Sequence, residues 1–500
     1  MASLPGCSGA EVPETGPRVK SFALEQPEST PLGKSVARAS GMNQGASGFE
    51  LLTSGRDAFQ AIVALVRLSR KTLDLQYYIW RANRTGRLLM AEVIAAADRG
   101  VRVRLLLDDM DIAWEDDELR KLSAHPNIEI CIFNPFENRD AGLLDILFDF
   151  QRITHRMHNK AFIADNSVAV IGGRNVGDRY FSVDDQSNYR DLDLYVAGPI
   201  VREASRTFDR FWNSEWSIPI AYIDEDGNGD GAVSALQATL REAVAFGDTP
   251  YDLVQDIDAA RDLVDARFER LIWTESARLL ADRPNKAKTK RSHVLTKMEA
   301  MLDVSLQHEL LLEMAYLIPG EKGLEWLCGL VDEGIKVRVL TNSFLSNDVL
   351  TAYAGYRKYR EDLVACGVEI FEMRPHAEFV KRDWNWLKPT SAANLHTKAA
   401  VIDGELVLIG SFNLDPRSIR LNTEIALAVR NERLAGQVRK FITDGMKPDN
   451  AYRLKAVDGD LVWVGEVKDG KRLKRTEPGI ASWRGFITIL LSTLPNESQL

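Results

Sequence analysis

Two histidines, each followed two residues later by a lysine, sit in frames of equal length. The frames are "RMHNKAFIADNSVAVIGGRN" at 156–175 and "NLHTKAAVIDGELVLIGSFN" at 394–413. Each holds the same four polar types at the same offsets: His158, Lys160, Asp165 and Asn175, then His396, Lys398, Asp403 and Asn413. This set suits chemistry on a phosphodiester. One imidazole can attack phosphorus to form a covalent intermediate, and a second can protonate the leaving alcohol. Lys and Asn donors can hold the equatorial oxygens as charge develops. One copy supplies only one imidazole, so the need for a nucleophile and an acid explains the duplication: two modules should face each other and share one site. A histidine used this way needs an orienting carboxylate, by the logic of catalytic triads. Glu424 in "LNTEIALAV" follows the second frame, and in "YRDLDLYVAGP" after the first, Asp191 is favoured over Asp193. Asp165 and Asp403, the carboxylates of the two catalytic frames, open a turn and are read as fixing the hairpin rather than touching substrate.

The elements that must position these groups follow from local pattern. "AFIAD" and "AAVID" read as strands, "DNS" and "DG" as hairpin turns, "VAVIGG" and "LVLIGS" as returning strands. With period-two alternation each His and Lys pair points to one side of its sheet, while Asn159 and Thr397 point away. Upstream, 72–80 reads as a buried strand, 86–100 as an amphipathic helix closed by Gly100, and 101–109 as another strand. The same order recurs at 309–319, 321–334 and 335–343, so the duplication extends well beyond the frames. The predicted organisation is a tail at 1–48, an α/β module at 49–216, a charged, helix-prone connector at 217–296, a second module at 297–445 and a polar tail at 446–500.

Composition bounds the rest. Five hundred residues at 45% hydrophobic give enough apolar material for two large cores. A net charge of -9 offers no general basic field, which disfavours a nucleic-acid partner. Cys131, Cys328 and Cys366 lack any CxxC or zinc spacing and read as packed thiols; no cofactor and no metal is called for. No apolar run reaches the length of a spanning helix. The order Leu4, Pro5, Gly6, Cys7 resembles a lipoprotein cleavage site without the regions that precede one, so Cys7 is a lipid anchor only if a signal peptide is missing from this start. "WRGFITILLSTLP" behind "KDGKRLKRTEP" suits either a segment lying on an anionic membrane or a helix docked on the core.

The pattern H-x-K-x4-D followed by G-[GS]-x-N, present twice, is the double signature of the phospholipase D superfamily, which this chain resembles. Beyond it, "LDLQYYIW", "HPNIEICIFNPF", "TNSFLSNDV", "AGYRKYREDL" and "IGSFNLDPRSIRLNTE" resemble its bacterial cardiolipin synthase C branch, from about residue 49 onward. The resemblance implies two tandem α/β/α sandwich domains with mixed central sheets, related by a pseudo-two-fold axis, with the active site at their interface. It implies a metal-independent phosphatidyltransferase of the bacterial cell envelope, peripheral to the membrane, that makes cardiolipin from phosphatidylglycerol and phosphatidylethanolamine. His158 would take the phosphatidyl group and His396 protonate the headgroup, or the reverse. Hydrolysis to phosphatidic acid is the alternative, and a nuclease of the same superfamily a weaker one. The polar ending "LPNESQL" departs from the apolar endings of the branch.

Other patterns read as ordinary structure. "DEDGNGDGAVSA" at 224–235 begins like a calcium loop but has Ala235 where a bidentate Glu is needed, so it reads as a solvated acidic turn. His155 has no counterpart at Ala393 and reads as packing or surface. "QYYIW" and "RDWNWLKP" could line an acyl or headgroup path but read first as core, and "KAKTKR" as a solvated charge run.

Overall fold

The computed structural model describes residues 19–41, 43, 45–110, 114, 116–136, 154–223, 256–376, 392–467, 470–482, 485 and 488. In the first half, β1 (Ser47–Leu52), β2 (Thr72–Tyr77), β3 (Arg102–Asp108), β4 (Ile128–Phe133), β5 (Ala161–Ala164) and β6 (Val168–Gly172) join one sheet. After β7 (Ser187–Arg190), which lies outside it, β8 (Asp193–Ala197), β9 (Ser217–Pro219) and β10 (Ile272–Thr274) return to that sheet. Its order is β10-β1-β8-β6-β5-β2-β3-β4-β9. The six side chains of β2 are all buried, as a central strand covered on both faces requires.

The second sheet holds β11 (Ala277–Ala281), β12 (Glu309–Met314), β13 (Lys336–Asn342) and β14 (Glu369–Met373). After the separate β15 (Ala392–Leu395) come β16 (Lys398–Ile402), β17 (Leu406–Gly410), β18 (Ile425–Arg430), β19 (Ala451–Val457), β20 (Asp460–Val467) and β21 (Gly470–Lys474). Its order is β11-β18-β17-β16-β12-β13-β14-β19-β20-β21. The run β8-β6-β5-β2-β3-β4 therefore recurs as β18-β17-β16-β12-β13-β14, the topological mark of duplication. Both sheets are mixed: β2, β3 and β4 pair in parallel, as do β12, β13 and β14, while β5 and β16 run antiparallel to their neighbours.

The two sheets close over a shared layer of two helices, Pro199–Trp212 and Glu432–Gly445. Ile163 and Ile171 of one sheet, Val401 and Val407 of the other, and Phe208 and Val438 of the helices belong to one continuous core. Each sheet carries further helices on its outer face, with separate cores there. Fusing the halves through a common apolar layer fixes their relative position.

Several expectations are corrected. Part of the proposed tail is structured: the helix Pro31–Ser40 is N-capped by Thr30, and Ser21 and Ala23 donate their N–H groups to Asn213 and Asp209. The connector contributes both edge strands of the first sheet, β9 and β10, and one of the second, β11, and the polar C-terminal region extends the second sheet by β19 to β21. Cys328 and Cys366 are not packed thiols; they form a disulfide, with Cα atoms 5.5 Å apart, because the helix Gly320–Asp332 and the end of the helix Leu350–Ala365 converge. In "KAKTKR", Lys286 is buried and donates to Asp282 and to the Ser418 and Asn422 carbonyls, so a solvated run is wrong for that residue. Cys7, the acidic turn at 224–235, "RDWNWLKP" and most of the apolar C-terminal run lie outside the described residues.

Candidate active site

Each frame folds as its turn residues dictate. Asp165 and Asn166 adopt positive φ, as do Asp403 and Gly404, giving tight three-residue turns, 165–167 and 403–405, from β5 to β6 and from β16 to β17. The Asp165 carboxylate accepts from the N–H groups of Arg70, Lys71 and Thr72, and that of Asp403 from Gln307, His308 and Glu309. Both pin the start of a central strand, about 16 Å along the chain from the lysines. Their geometry is that of hairpin anchors rather than reacting groups.

His158 and His396 lie just before β5 and β16, where the two halves interlock. The His158 N–H donates to the Thr423 carbonyl, and the His396 N–H to the Arg190 carbonyl. Strand β7 pairs in parallel with β15, setting Arg190 against Leu395. The chain beyond Thr423 and Arg190 delivers Glu424 and Asp191, so each carboxylate reaches the opposite domain's histidine. His158 Nδ1 is 3.0 Å from Glu424 Oε2, and His396 Nδ1 is 2.6 Å from Asp191 Oδ2. Chain order suggests the reverse pairing, each histidine with the carboxylate of its own copy; the interdomain strand contacts cross them. Asn159 and Thr397, which alternation turns away from the site, serve this junction: Asn159 accepts from the Thr423 hydroxyl, and the Thr397 hydroxyl donates to the Arg190 carbonyl.

Lys160 Nζ donates to its neighbour's carbonyl, that of His158, at 2.6 Å, and Lys398 Nζ likewise to His396. Neither contact uses up the three ammonium protons. Asn175 accepts from the Ile79 N–H and donates one amide proton to the Tyr180 hydroxyl, while Asn413 Oδ1 is buried without a partner. Tyr78 packs edge-on against His158, and Tyr180 and Tyr189 flank His396. Within "QYYIW", Tyr78 therefore borders the site, and Trp80 is core.

Burial governs the electrostatics. It drives the His158 imidazole well below its ordinary pKa, helped by the Lys160 and Lys398 charges, and brings His396 down to about 4. Both lysines are lowered by burial as well. Burial raises Glu424 to about 7, against the opposing pull of Lys160 and Lys286. Asp191 moves the other way: burial is outweighed by His396, Lys398 and Arg174, and it stays ionised. One imidazole thus faces a carboxylate that keeps its charge, the other a carboxylate poised to lose it.

Several contributors were not legible in the sequence. Ser411, the variable residue of G-[GS]-x-N, donates its hydroxyl to Glu424, whereas in the first copy a Cβ on Gly173 would lie 2.2 Å from Asp191 Oδ1. Buried Arg190 is held by Glu313 at 2.8 Å. Asp348 of "TNSFLSNDV" accepts from Tyr189 and Tyr316 and fixes the wall beside His396. His155 is fully buried and packs edge-on against Phe133 and Trp216, a packing rather than a surface role. Its ring nitrogens lie 2.8 Å from the Leu421 and Pro284 carbonyls at the domain junction, and burial lowers it to about 4.

Two paired frames facing each other across fused mixed sheets define a phospholipase D-like enzyme. The profile described as "Cardiolipin synthase, PLD-like domain" matches residues 62–212 and 303–444. Cardiolipin synthase C of Escherichia coli (strain K12) is 35% identical over 93% of this chain and 99% of its own length. Cardiolipin synthase A of Cronobacter sakazakii is 24% identical over 83% of this chain and 71% of its own. The fold also matches the crystal structure of phosphatidylserine synthase from Haemophilus influenzae Rd KW20, with a TM-score of 0.55 at 13% identity, over 91% of this chain and 96% of that one. The chain belongs to the cardiolipin synthase, phospholipase D-like family, and is a phosphatidyltransferase of that superfamily.

Proposed function

We propose that this enzyme makes cardiolipin from phosphatidylglycerol and a second phospholipid, phosphatidylethanolamine, through a phosphohistidine at His158. His158 Nε2 attacks the donor phosphorus; the bond to the headgroup oxygen breaks, and that oxygen takes its proton from His396. The phosphatidylglycerol hydroxyl then enters, His396 takes its proton, the new phosphorus–oxygen bond forms and the bond to His158 breaks. Lys160, Lys398 and the side chains of Asn175 and Asn413 hold the phosphate oxygens. An anionic phosphodiester between the two lysines also draws a proton onto His396 by offsetting the positive field that disfavours it.

The observation that carries the reading is the crossed pair of carboxylates. Ionised Asp191 supports the imidazolium an acid needs, while the strongly depressed His158 is the better resting nucleophile. The enzyme works at the surface of the bacterial cell envelope. Among the described residues no helix is long and apolar enough to cross a membrane. The Cys328–Cys366 disulfide favours an oxidising compartment, hence the outer side of the inner membrane.

Lipid mass spectrometry of the purified protein in vesicles of phosphatidylglycerol and phosphatidylethanolamine tests this. Cardiolipin that requires both lipids is expected, and phosphatidic acid as the main product would make the enzyme a hydrolase instead. His158→Ala and His396→Ala should each lower turnover by several orders of magnitude; near-normal activity in either would remove the shared-site mechanism.

A further inference from the structure

The two copies differ sharply in the space behind their lysines. In the first, the pocket lined by Lys160, Tyr77, Val170, Gly172, Arg174 and Asp193 measures about 10 Å³. There the Arg174–Asp193 ion pair, 2.8 Å long, fills the gap. In the second copy the frame offset puts Phe412 in place of Arg174, and the strand register puts Ala426 in place of Asp193. Met314 likewise stands where the first copy has Tyr77. Small and apolar replacements leave a cavity of about 820 Å³ that begins at Lys398.

The cavity lies between the outer face of the second sheet and the helices His293–Ser305 and Gly320–Asp332. Leu295, Met298 and Leu302 line it from one helix, and Leu310, Leu312 and Leu408 from the sheet. It reaches the surface beside Trp326, which is 37% exposed, where Glu299 and Lys322 form a charged mouth. Its size falls within the range of small-molecule sites. A continuous apolar volume that starts at a phosphate-holding lysine and opens at the surface has the form needed for the hydrocarbon tail of a molecule whose phosphate is in the site.

We infer that this cavity binds one acyl chain of the phospholipid whose phosphate is held at Lys398, and that only the second copy does so. This rests on the phosphatidyltransferase reading above. The lipid is thereby held in one orientation across an otherwise near-symmetric site.

Phosphatidylethanolamine, the donor whose phosphate lies at Lys398, carrying a diazirine at the end of one acyl chain, in vesicles with phosphatidylglycerol, tests it by photolabelling and peptide mapping. Label is expected on the helices His293–Ser305 and Gly320–Asp332. Leu302→Trp and, separately, Ala400→Phe should lose that label and raise KM for dioleoyl-phosphatidylethanolamine at least roughly tenfold, because buried methylenes supply the binding. Dihexanoyl-phosphatidylethanolamine, too short to fill the cavity, should keep its kcat/KM within about twofold. Label confined elsewhere, including residues 483–500, overturns the proposal, as does an equal effect of the variants on both chain lengths. If a variant loses activity on both lipids through misfolding, the labelling of the wild-type protein decides. Label in the cavity without cardiolipin formation would sink the functional reading and keep the cavity; cardiolipin without label there would do the opposite.

Discussion

In the proposed mechanism, with His158 as the nucleophile, Glu424 ties the pH dependence of the reaction to one proton. Above about pH 7 its carboxylate accepts the His158 Nδ1 proton, leaving the Nε2 lone pair free to attack; below that, the protonated carboxyl donates to Nδ1 and Nε2 carries the proton instead. Because kcat/KM reports the free enzyme, it should fall about tenfold per unit as pH drops through about 7. Glu424→Gln keeps an acceptor but never a charge. It should lose on the order of 10⁴ in rate, as an amide does in a catalytic triad, and lose the limb near 7. A limb that survives in Glu424→Gln belongs to another group. Ser411→Ala removes a hydrogen bond that favours the ionised carboxylate, so its limb should move to higher pH. The reactive types were legible in the sequence because a repeated His-Lys frame is rare and chemically complete. The role of Ser411 was not, since it depends on a carboxylate thirteen residues away folding back onto the frame.

At the scale of elements, strong periodicity made the central strands and the hairpins readable, and weak or short patterns hid the edges. β9 and β10 have three residues each and β11 five, too short for a periodic pattern, so the connector carried no strand signal. The disulfide was hidden for a related reason: 38 residues separate its cysteines, and only the packing of two outer helices on β13 and β14 brings them together. Closing a loop of that length restricts the unfolded chain, by roughly 2–4 kcal/mol in typical proteins. Cys328→Ser with Cys366→Ser should therefore lower stability by about that amount, measured as the denaturant midpoint, and added reductant should do the same to the wild-type protein. A midpoint indifferent to reductant would mean the two thiols are not joined in solution. The bridge anchors the helix Gly320–Asp332, one wall of the apolar cavity, so its loss should also weaken use of long-chain lipid more than short-chain lipid.

For the whole molecule, the consequence of duplication is mutual completion. Neither half orients its own histidine: the backbone contacts that seat His158 and His396 come from the other domain, and so do the carboxylates. Chain order pointed to the right carboxylates but the wrong partners, because the pairing is set by β7 against β15 and by the contact of Met157 with Thr423, both between distant segments. An imidazole whose Nδ1 proton is held by a carboxylate has a distinctive ring nitrogen signal, and the chain has only seven histidines to resolve. With ¹⁵N-labelled histidine, the two active-site rings are assigned by their disappearance in His158→Ala and His396→Ala. Asp191→Asn should then shift the His396 signals and leave those of His158 in place; Glu424→Gln should do the reverse. The opposite pattern would mean that each domain orients its own histidine. The crossed pattern would mean that evolution cannot relax one copy into a silent scaffold without disabling the other, which fits the retention of both complete frames in this chain.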